Sequence, residues 1–171
     1  AARGEVNTLA VQPLSGFTAT FADTTAPLVP GAGCDASTGT IVCQARTLDA
    51  RLGDGSDALT SYTPSTATVA GEGGDDALDV LVNTGDVNVS GGPGNDRISA
   101  NTEGSTSITG DGGNDTIGVH GIPYTATVDG GAGDDAITYE IAFGGSARLT
   151  GGGGADTITA VAPLNAPAAS R

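Results

Sequence analysis

The segment GGPGNDRI at residues 91–98 recurs five more times along the chain, with the same placement of glycine, aspartate and a branched aliphatic residue. The other copies are LGDGSDAL from Leu52, GEGGDDAL from Gly71, GDGGNDTI from Gly110, GGAGDDAI from Gly130 and GGGGADTI from Gly151. Their aspartates at position 6 follow one another at intervals of about 20 residues, a period typical of solenoids. They are Asp57, Asp76, Asp96, Asp115, Asp135 and Asp156.

Aliphatic residues keep the same period on both sides of each segment. One set follows the aspartates by two residues, and the other precedes the glycine turns by two residues. The sets are Leu59, Leu78, Ile98, Ile117, Ile137 and Ile158, and Val69, Val89, Ile108, Val128 and Leu149. Around them apolar and polar residues alternate with period two, which predicts strands with one buried face. The sequence therefore predicts an all-β protein, a parallel β-solenoid (β-roll or β-helix) with two inward aliphatic rows and strands ~4.8 Å apart.

The repeated segment resembles the nonapeptide G-G-x-G-x-D-x-U-x of repeats-in-toxin proteins, the haemolysin-type calcium-binding repeat, in which U is a large aliphatic residue. Three copies match at every specified position, whereas Glu72 and Asp111 replace the second glycine in two others and Leu52 replaces the first glycine in one. The resemblance covers residues 52–160. It implies that Ca²⁺ lies between successive turns, bound by carbonyls from positions 2 and 4 of one turn and positions 1 and 3 of the next. Each position-6 aspartate adds a side-chain oxygen.

The residue types suit this chemistry. Calcium takes six to eight oxygen ligands, and turns that aim carbonyls at one point need glycine because it adopts positive φ. Only every second turn carries the aspartate, so we expect one row of about five ions along one edge, not the two rows of a tandem repeat. The predicted metal-binding residues are Gly53, Gly55, Asp57, Gly71, Glu72, Gly73, Gly74, Asp76, Gly91, Gly92, Pro93, Gly94, Asp96, Gly110, Asp111, Gly112, Gly113, Asp115, Gly130, Gly131, Ala132, Gly133, Asp135, Gly151, Gly153 and Asp156. Asp54, Asp75 and Asp134 are expected to face water, and the alternative is a metal-free solenoid with solvated aspartates throughout.

Composition limits the partners. The formal net charge is −14, from 20 acidic and six basic residues. Nucleic acid and anionic membranes are therefore not expected partners, since phosphates need Lys and Arg. A hydrophobic fraction of 37% argues against an acidic disordered chain, and no run of ~20 apolar residues predicts a membrane span. Bound calcium would offset much of the negative charge.

The regions outside the repeat are read as a cap and a tail. Residues 1–50 are predicted to form an N-terminal β cap with strands at 17–21 and 40–43, pinned by a disulfide between Cys34 and Cys43. The alternative is a reduced pair, and zinc is not expected. Residues 51–160 are predicted to form the solenoid. Residues 161–171 are a Pro/Ala-rich tail for which three arrangements are open. It could fold over the last coil, link the solenoid to a longer parent protein, or leave the end of the solenoid open to another copy. A disulfide favours a secreted or cell-surface protein, with any signal peptide already removed.

No catalytic set is expected, and His120, the only histidine, is interpreted as an exposed turn residue. The leading hypothesis is an extracellular calcium-binding solenoid that folds on Ca²⁺ and serves as a structural, adhesive or self-assembling surface module. Its expected partners are calcium, another copy end to end, or a larger extracellular protein. One alternative is a calcium-triggered folding and secretion module of an exported toxin or hydrolase. Another is an ice-binding protein, although Asp86 and Arg148 interrupt the hydroxyl-rich outer rows.

Overall fold

The computed structural model describes residues 8–11, 13–14, 18–21, 34–35, 41–44, 47–63, 65–140 and 145–161, with side chains described in 47–62, 65–140 and 145–161. The described elements are all strands. They are β1 (Thr8–Val11), β2 (Pro13–Leu14), β3 (Thr18–Phe21), β4 (Cys34–Asp35), β5 (Ile41–Gln44), β6 (Thr47–Asp54), β7 (Ala58–Thr63), β8 (Thr66–Gly73), β9 (Ala77–Val82), β10 (Val87–Pro93), β11 (Arg97–Thr102), β12 (Thr106–Gly112), β13 (Thr116–Gly121), β14 (Thr125–Ala132), β15 (Ala136–Glu140), β16 (Ser146–Gly153) and β17 (Thr157–Val161).

Two parallel sheets form the solenoid. A seven-stranded sheet has the order β1-β7-β9-β11-β13-β15-β17, and a six-stranded sheet has the order β16-β14-β12-β10-β8-β6. Equivalent residues of neighbouring coils pair directly, as Ile98 does with both Leu78 and Ile117. The predicted parallel β-solenoid is therefore confirmed, and its coils number about five. The glycine–aspartate turns stack along one edge, where each strand of the smaller sheet leads into a strand of the larger one.

The core is a thin double row of branched side chains, as the repeat predicts, except in the last coil, where Ile158 is exposed and Leu149 is only partly buried. Leu59, Leu78, Ile98, Ile117 and Ile137 are each 1% exposed. The facing row runs from Val69 to Val128 along the six-stranded sheet and is also buried. A further inward row on the larger sheet contains Ser61, Val80, Ala100, Val119 and Tyr139. Its side chains vary in size from alanine to tyrosine. This row therefore has no recurring residue type from which the sequence could have predicted it.

The N-terminal region adds a strand to the solenoid as well as forming a small sheet. β1 pairs in parallel with β7, so residues before Cys34 extend the seven-stranded sheet by one strand. β2, β3, β5 and β4 form a four-stranded antiparallel sheet in which Cys34 is directly opposite Cys43. The expected strands at 17–21 and 40–43 correspond to β3 and β5, with Phe17 and Thr40 outside the described residues.

The last described coil is open to solvent. β17 is exposed along its whole length, and Ile158 and Val161 are among the exposed large hydrophobic residues. The expectations for the tail concern residues outside the described ranges, apart from Val161. Among the described residues there is no helix that could cross a membrane.

Candidate metal centre

The backbone of the six glycine–aspartate turns repeats closely. Position 2 has φ between 74° and 109°, and position 4 has φ between 129° and 146°. Glycine adopts these angles without strain, whereas Glu72 and Asp111 hold φ of 74° with side chains present. At position 4 the need for glycine is also steric, because a Cβ on Gly94 would overlap the carbonyl oxygen of Gly74 in the preceding turn.

Carbonyl groups of adjacent turns face each other across the stack. The carbonyls of Glu72 and Gly74 point toward the turn that follows them. In that following turn, the carbonyl of Gly91 points back toward Gly71, and the Pro93 carbonyl accepts a hydrogen bond from the Gly74 N–H at 2.9 Å. Positions 2 and 4 thus face forward, and positions 1 and 3 face back.

The position-6 aspartates are joined into a ladder by one oxygen of each carboxylate. The backbone N–H of Asp76 donates to Asp96 Oδ1 at 2.8 Å, and the N–H of Asp96 donates to Asp115 Oδ1 at the same distance. The same bond joins every other consecutive pair of these residues, from Asp57 to Asp156, at 2.8 to 3.0 Å. In the five aspartates from Asp76 to Asp156, Oδ1 therefore fixes the carboxylate in place and satisfies a turn N–H.

The second oxygen of the carboxylate is buried without a hydrogen-bond partner in four successive turns. These atoms are the Oδ2 atoms of Asp76, Asp96, Asp115 and Asp135. Each lies over the position-1 glycine of its own turn, beside the position-1 carbonyl oxygen of the next turn. A side chain at position 1 would overlap the carboxylate, which explains the glycine there. Both oxygens lie within 3 Å of the point that a Cβ of the position-1 glycine would occupy, so a proton or a cation near that point would satisfy two acceptors.

Burial makes the ionised form of these carboxylates energetically unfavourable in the folded state. Desolvation raises the pKa of Asp76 to about 6, and the neighbouring negative charges of Asp57 and Asp75 act in the same direction. Burial raises the pKa of Asp96 to about 6 as well, with Asp76 and Asp115 among the contributing charges. The pKa of Asp115 is also raised, again chiefly by burial. Near neutral pH these three carboxylates are therefore charged and poorly solvated, and a bound cation would stabilise them.

The oxygen atoms available in the turns are of the types that calcium binds. Each turn offers a fixed carboxylate oxygen and carbonyls facing both neighbours, which are the hard oxygen ligands that Ca²⁺ prefers. Among the described side chains, no group of three or more His, Cys, Asp or Glu lies close enough to hold a metal. A cation at this edge would therefore take backbone carbonyls for most of its ligands, as the glycine content of the turns leads us to expect.

No family model, curated protein or solved structure matches this chain.

The predicted ligand positions are brought together, with differences at the two ends. In the first turn Leu52 occupies position 1 and is buried, so the arrangement of Asp57 over a glycine is not repeated there. In the last turn Asp156 lies over Gly151, and no following turn supplies a carbonyl within the described residues. Six stacked turns leave five gaps between them, the number on which the estimate of about five ions rests.

A second side-chain ladder at position 5 escaped the sequence analysis. Asp75 Oδ1 accepts from the backbone N–H of Asn95 at 2.7 Å, and Asn95 Oδ1 accepts from Asn114 at 2.8 Å. Asn114 and Asp134 continue the series in the same direction. Asp75 and Asp134 are exposed as expected, but each also caps the following turn. The signal in the sequence was an Asp or Asn at position 5 in four consecutive copies.

Proposed function

We propose that this chain is an extracellular calcium-binding β-solenoid that folds on Ca²⁺ and serves as a structural, adhesive or self-assembling surface module. The observation that carries the proposal is the row of buried Oδ2 atoms on Asp76, Asp96, Asp115 and Asp135. Each is an acceptor beside another acceptor, at a turn whose carbonyls also face the gap between coils. A divalent cation in each gap would satisfy the Oδ2 atom and the carbonyls that face that gap.

Charge supports the same proposal. The chain has a formal net charge of −14, and six of its aspartates lie in one stacked row. Like charges held one coil apart, ~4.8 Å, oppose the compact state. About five divalent cations would supply ten positive charges and leave a modest negative surface charge. Without them, the repulsion and the desolvation of the carboxylates act together against folding.

An extracellular location is supported by the register of the N-terminal sheet. Cys34 and Cys43 are directly opposite each other on antiparallel strands, a backbone separation that a disulfide can bridge. We propose that they are bonded and that the protein works in an oxidising, calcium-rich space. A role in assembly is supported by β17, whose exposed edge and exposed Ile158 and Val161 are suited to contact with a further strand or a second copy.

The test is far-ultraviolet circular dichroism during a calcium titration that starts in excess chelator. We expect a coil-like spectrum to become β-rich as Ca²⁺ is added, because metal binding contributes folding free energy directly. Magnesium is the matched control. It should be a weaker inducer, because it demands octahedral geometry and retains its water ligands. A β-rich spectrum that persists unchanged in excess chelator would overturn the proposal.

Self-assembly is tested separately by light scattering of the calcium-loaded chain. End-to-end association predicts a mass that increases with protein concentration. A strictly monomeric mass at all concentrations would remove the self-assembling role and leave calcium-dependent folding standing.

A further inference from the structure

The two ends of the solenoid differ in how the core is covered. At the N-terminal end, β6 is the outermost described strand of the smaller sheet, yet its inward residues Leu48, Ala50 and Leu52 are buried. On the larger sheet, β1 covers β7 and itself contacts β3 of the antiparallel sheet. At the C-terminal end, Ile158 is 43% exposed and Leu149 is only partly buried. The core is therefore covered at one end and open at the other.

Strand β17 directs a defined set of backbone groups toward the open end. The Thr157 N–H donates to the Asp135 carbonyl at 2.7 Å, so Thr157 bonds back to the preceding coil. Because the bonding residues alternate along a strand that has a parallel neighbour, the N–H and C=O groups of Ile158 and Ala160 face away from β15. The side chains of these two residues are in register with the buried residues of β15. The open edge thus presents two residues that can pair with a further strand.

The composition of β17 suits it to such pairing. Edge strands of natural proteins usually carry charged residues, proline or a bulge, which discourage contact with another strand. β17 has the sequence TITAV, which contains no charged residue and no proline and is mostly β-branched, and all of its residues are exposed. The charged residue of β16, Arg148, lies in the other sheet. β17 is therefore an unprotected edge strand.

We propose that a second copy of the chain occupies this end, through antiparallel pairing of the two β17 strands about a twofold axis at Thr159. The inference rests on the self-assembling role proposed above and gives it a partner and a geometry. In this register Ile158 of each copy lies opposite the partner's Ala160, and their edge-facing groups form about four hydrogen bonds. The large side chain of Ile158 then packs against the small side chain of Ala160 on both sides of the axis.

The difference between the two ends limits the assembly to two copies. An interface that uses the same surface on both partners closes on itself. Because the N-terminal end is covered, the stack does not continue from there into a filament. The twofold axis also places the glycine–aspartate edge of one copy beside the opposite edge of the other. The negatively charged rows of the two copies are therefore kept apart.

The size of the open end sets the expected strength of the dimer. Its two strands have five and eight residues, which correspond to lengths of about 17 to 26 Å, and the sheets are ~10 Å apart. With the side chains included, the contact would bury about 500 Å² on each copy, or about 1,000 Å² in total. This area is at the lower limit for specific interfaces, so we expect a weak dimer with a Kd on the order of 10 μM.

Sedimentation equilibrium of the full chain in calcium, from about 1 to 200 μM, measures this association. We expect the mass to rise from 16.4 kDa toward twice that value and to stop there. Ala160→Pro should abolish the dimer, because proline removes a donor to the partner and no bond to β15. Thr159→Asp should weaken the dimer at least about tenfold, since like charges then lie directly opposite each other. The matched control is Thr138→Asp, the same change one coil back, which should leave the association constant unchanged.

Circular dichroism of the same samples controls for folding and separates this inference from the proposed function. A β-rich chain that is monomeric at every concentration would overturn the pairing and leave calcium-dependent folding standing. A dimer that persists in chelator would support the pairing and overturn calcium-dependent folding. A mass that passes twice 16.4 kDa, or a Thr138→Asp variant as disruptive as Thr159→Asp, would contradict the closed dimer. A monomeric chain that dimerises only when residues 162–171 are removed would assign the open end to those residues and refute the proposal.

Discussion

Replacing Asp96 by asparagine should have opposite effects on stability with and without calcium. Asparagine retains the Oδ1 that accepts the Asp76 N–H at 2.8 Å. It replaces the buried Oδ2 by an amide that can donate to the Gly110 carbonyl beside it. The substitution therefore removes a buried charge while retaining the hydrogen bond that holds the turn. In calcium, however, it removes a charged ligand.

The magnitude follows from the pKa of Asp96, which burial raises from 3.8 to about 6. A difference of about two pKa units corresponds to at most about 3 kcal/mol of unfavourable free energy for the charged form at pH 7. The turn lies at the edge of the solenoid, where solvent screening reduces this value, so we expect Asp96→Asn to stabilise the calcium-free fold by about 1–2 kcal/mol. In calcium we expect a midpoint concentration about tenfold higher than that of the wild type, because affinity follows ligand charge.

The calcium-free stability is measured as the sodium sulfate concentration needed to fold the chain in chelator, because sulfate favours burial. The calcium-bound stability is the midpoint of the calcium titration. The matched control is Asp134→Asn, which makes the same change at an exposed carboxylate whose Oδ1 also accepts a turn N–H. It should shift both midpoints little. If Asp96→Asn destabilises the fold equally in both conditions, the aspartate is only a hydrogen-bonding element and the reasoning is wrong.

Three further predictions concern the backbone, the core and pH. Gly94→Ala, at φ 146° and against the Gly74 carbonyl, should destabilise the calcium-bound fold by at least about 2 kcal/mol in urea denaturation. Gly112→Ala, where a Cβ meets nothing within 4 Å, should change stability by less than about 0.5 kcal/mol, and equal losses would contradict the turn geometry. Ile117→Ala in the buried row should lose about 2–5 kcal/mol, and Ile158→Ala, 43% exposed, should lose less than about 1 kcal/mol. In chelator, the fold should become more stable as pH falls from 7 toward 4, because Asp76 and Asp96 bind protons in the folded state at about pH 6 and only near 3.8 when unfolded. In calcium the dependence should reverse, because protons compete with the metal, and the same slope in both conditions would show that these carboxylates do not bind it.

The repeat allowed the solenoid and its main core rows to be predicted because each coil contributes one residue to each row. A period of about 20 residues fixes which residues pair, and the parallel register follows. The pairing of Leu78, Ile98 and Ile117 is the direct result. The six turns were recognisable for the same reason, since glycine recurs for steric reasons at position 4 of every turn and at position 1 of all but the first, where Leu52 replaces it.

Features that do not repeat were harder to predict. The pairing of β1 with β7 joins segments far apart in sequence, and nothing periodic marks β1. The buried Tyr139 occupies a position that holds valine and alanine in neighbouring coils, so packing alone decides it. His120 and Glu140 meet because two turns of different length still leave their strands in register. Such contacts depend on three-dimensional neighbours rather than on local pattern.

The position-5 ladder shows a different limit. Asn95 and Asn114 were visible in the sequence, but side chains in glycine-rich turns also face water without any partner. The direction of each side chain depends on the φ angles at positions 2 and 4, which only the folded turn defines. The recurrence of Asp or Asn at position 5 therefore indicated a structural role, but the residue type alone did not show that these side chains accept hydrogen bonds from the following turn.

The central claim is that the buried Oδ2 row binds calcium, and crystals grown in Ca²⁺ test it most directly. We predict anomalous difference peaks between successive turns, each about 2.3–2.6 Å from an Oδ2 atom of the row that includes Asp76, Asp96, Asp115 and Asp135 and from the carbonyls that face the same gap. A well-ordered map with no such peaks, in which these oxygens are protonated or bonded to water, would contradict the account.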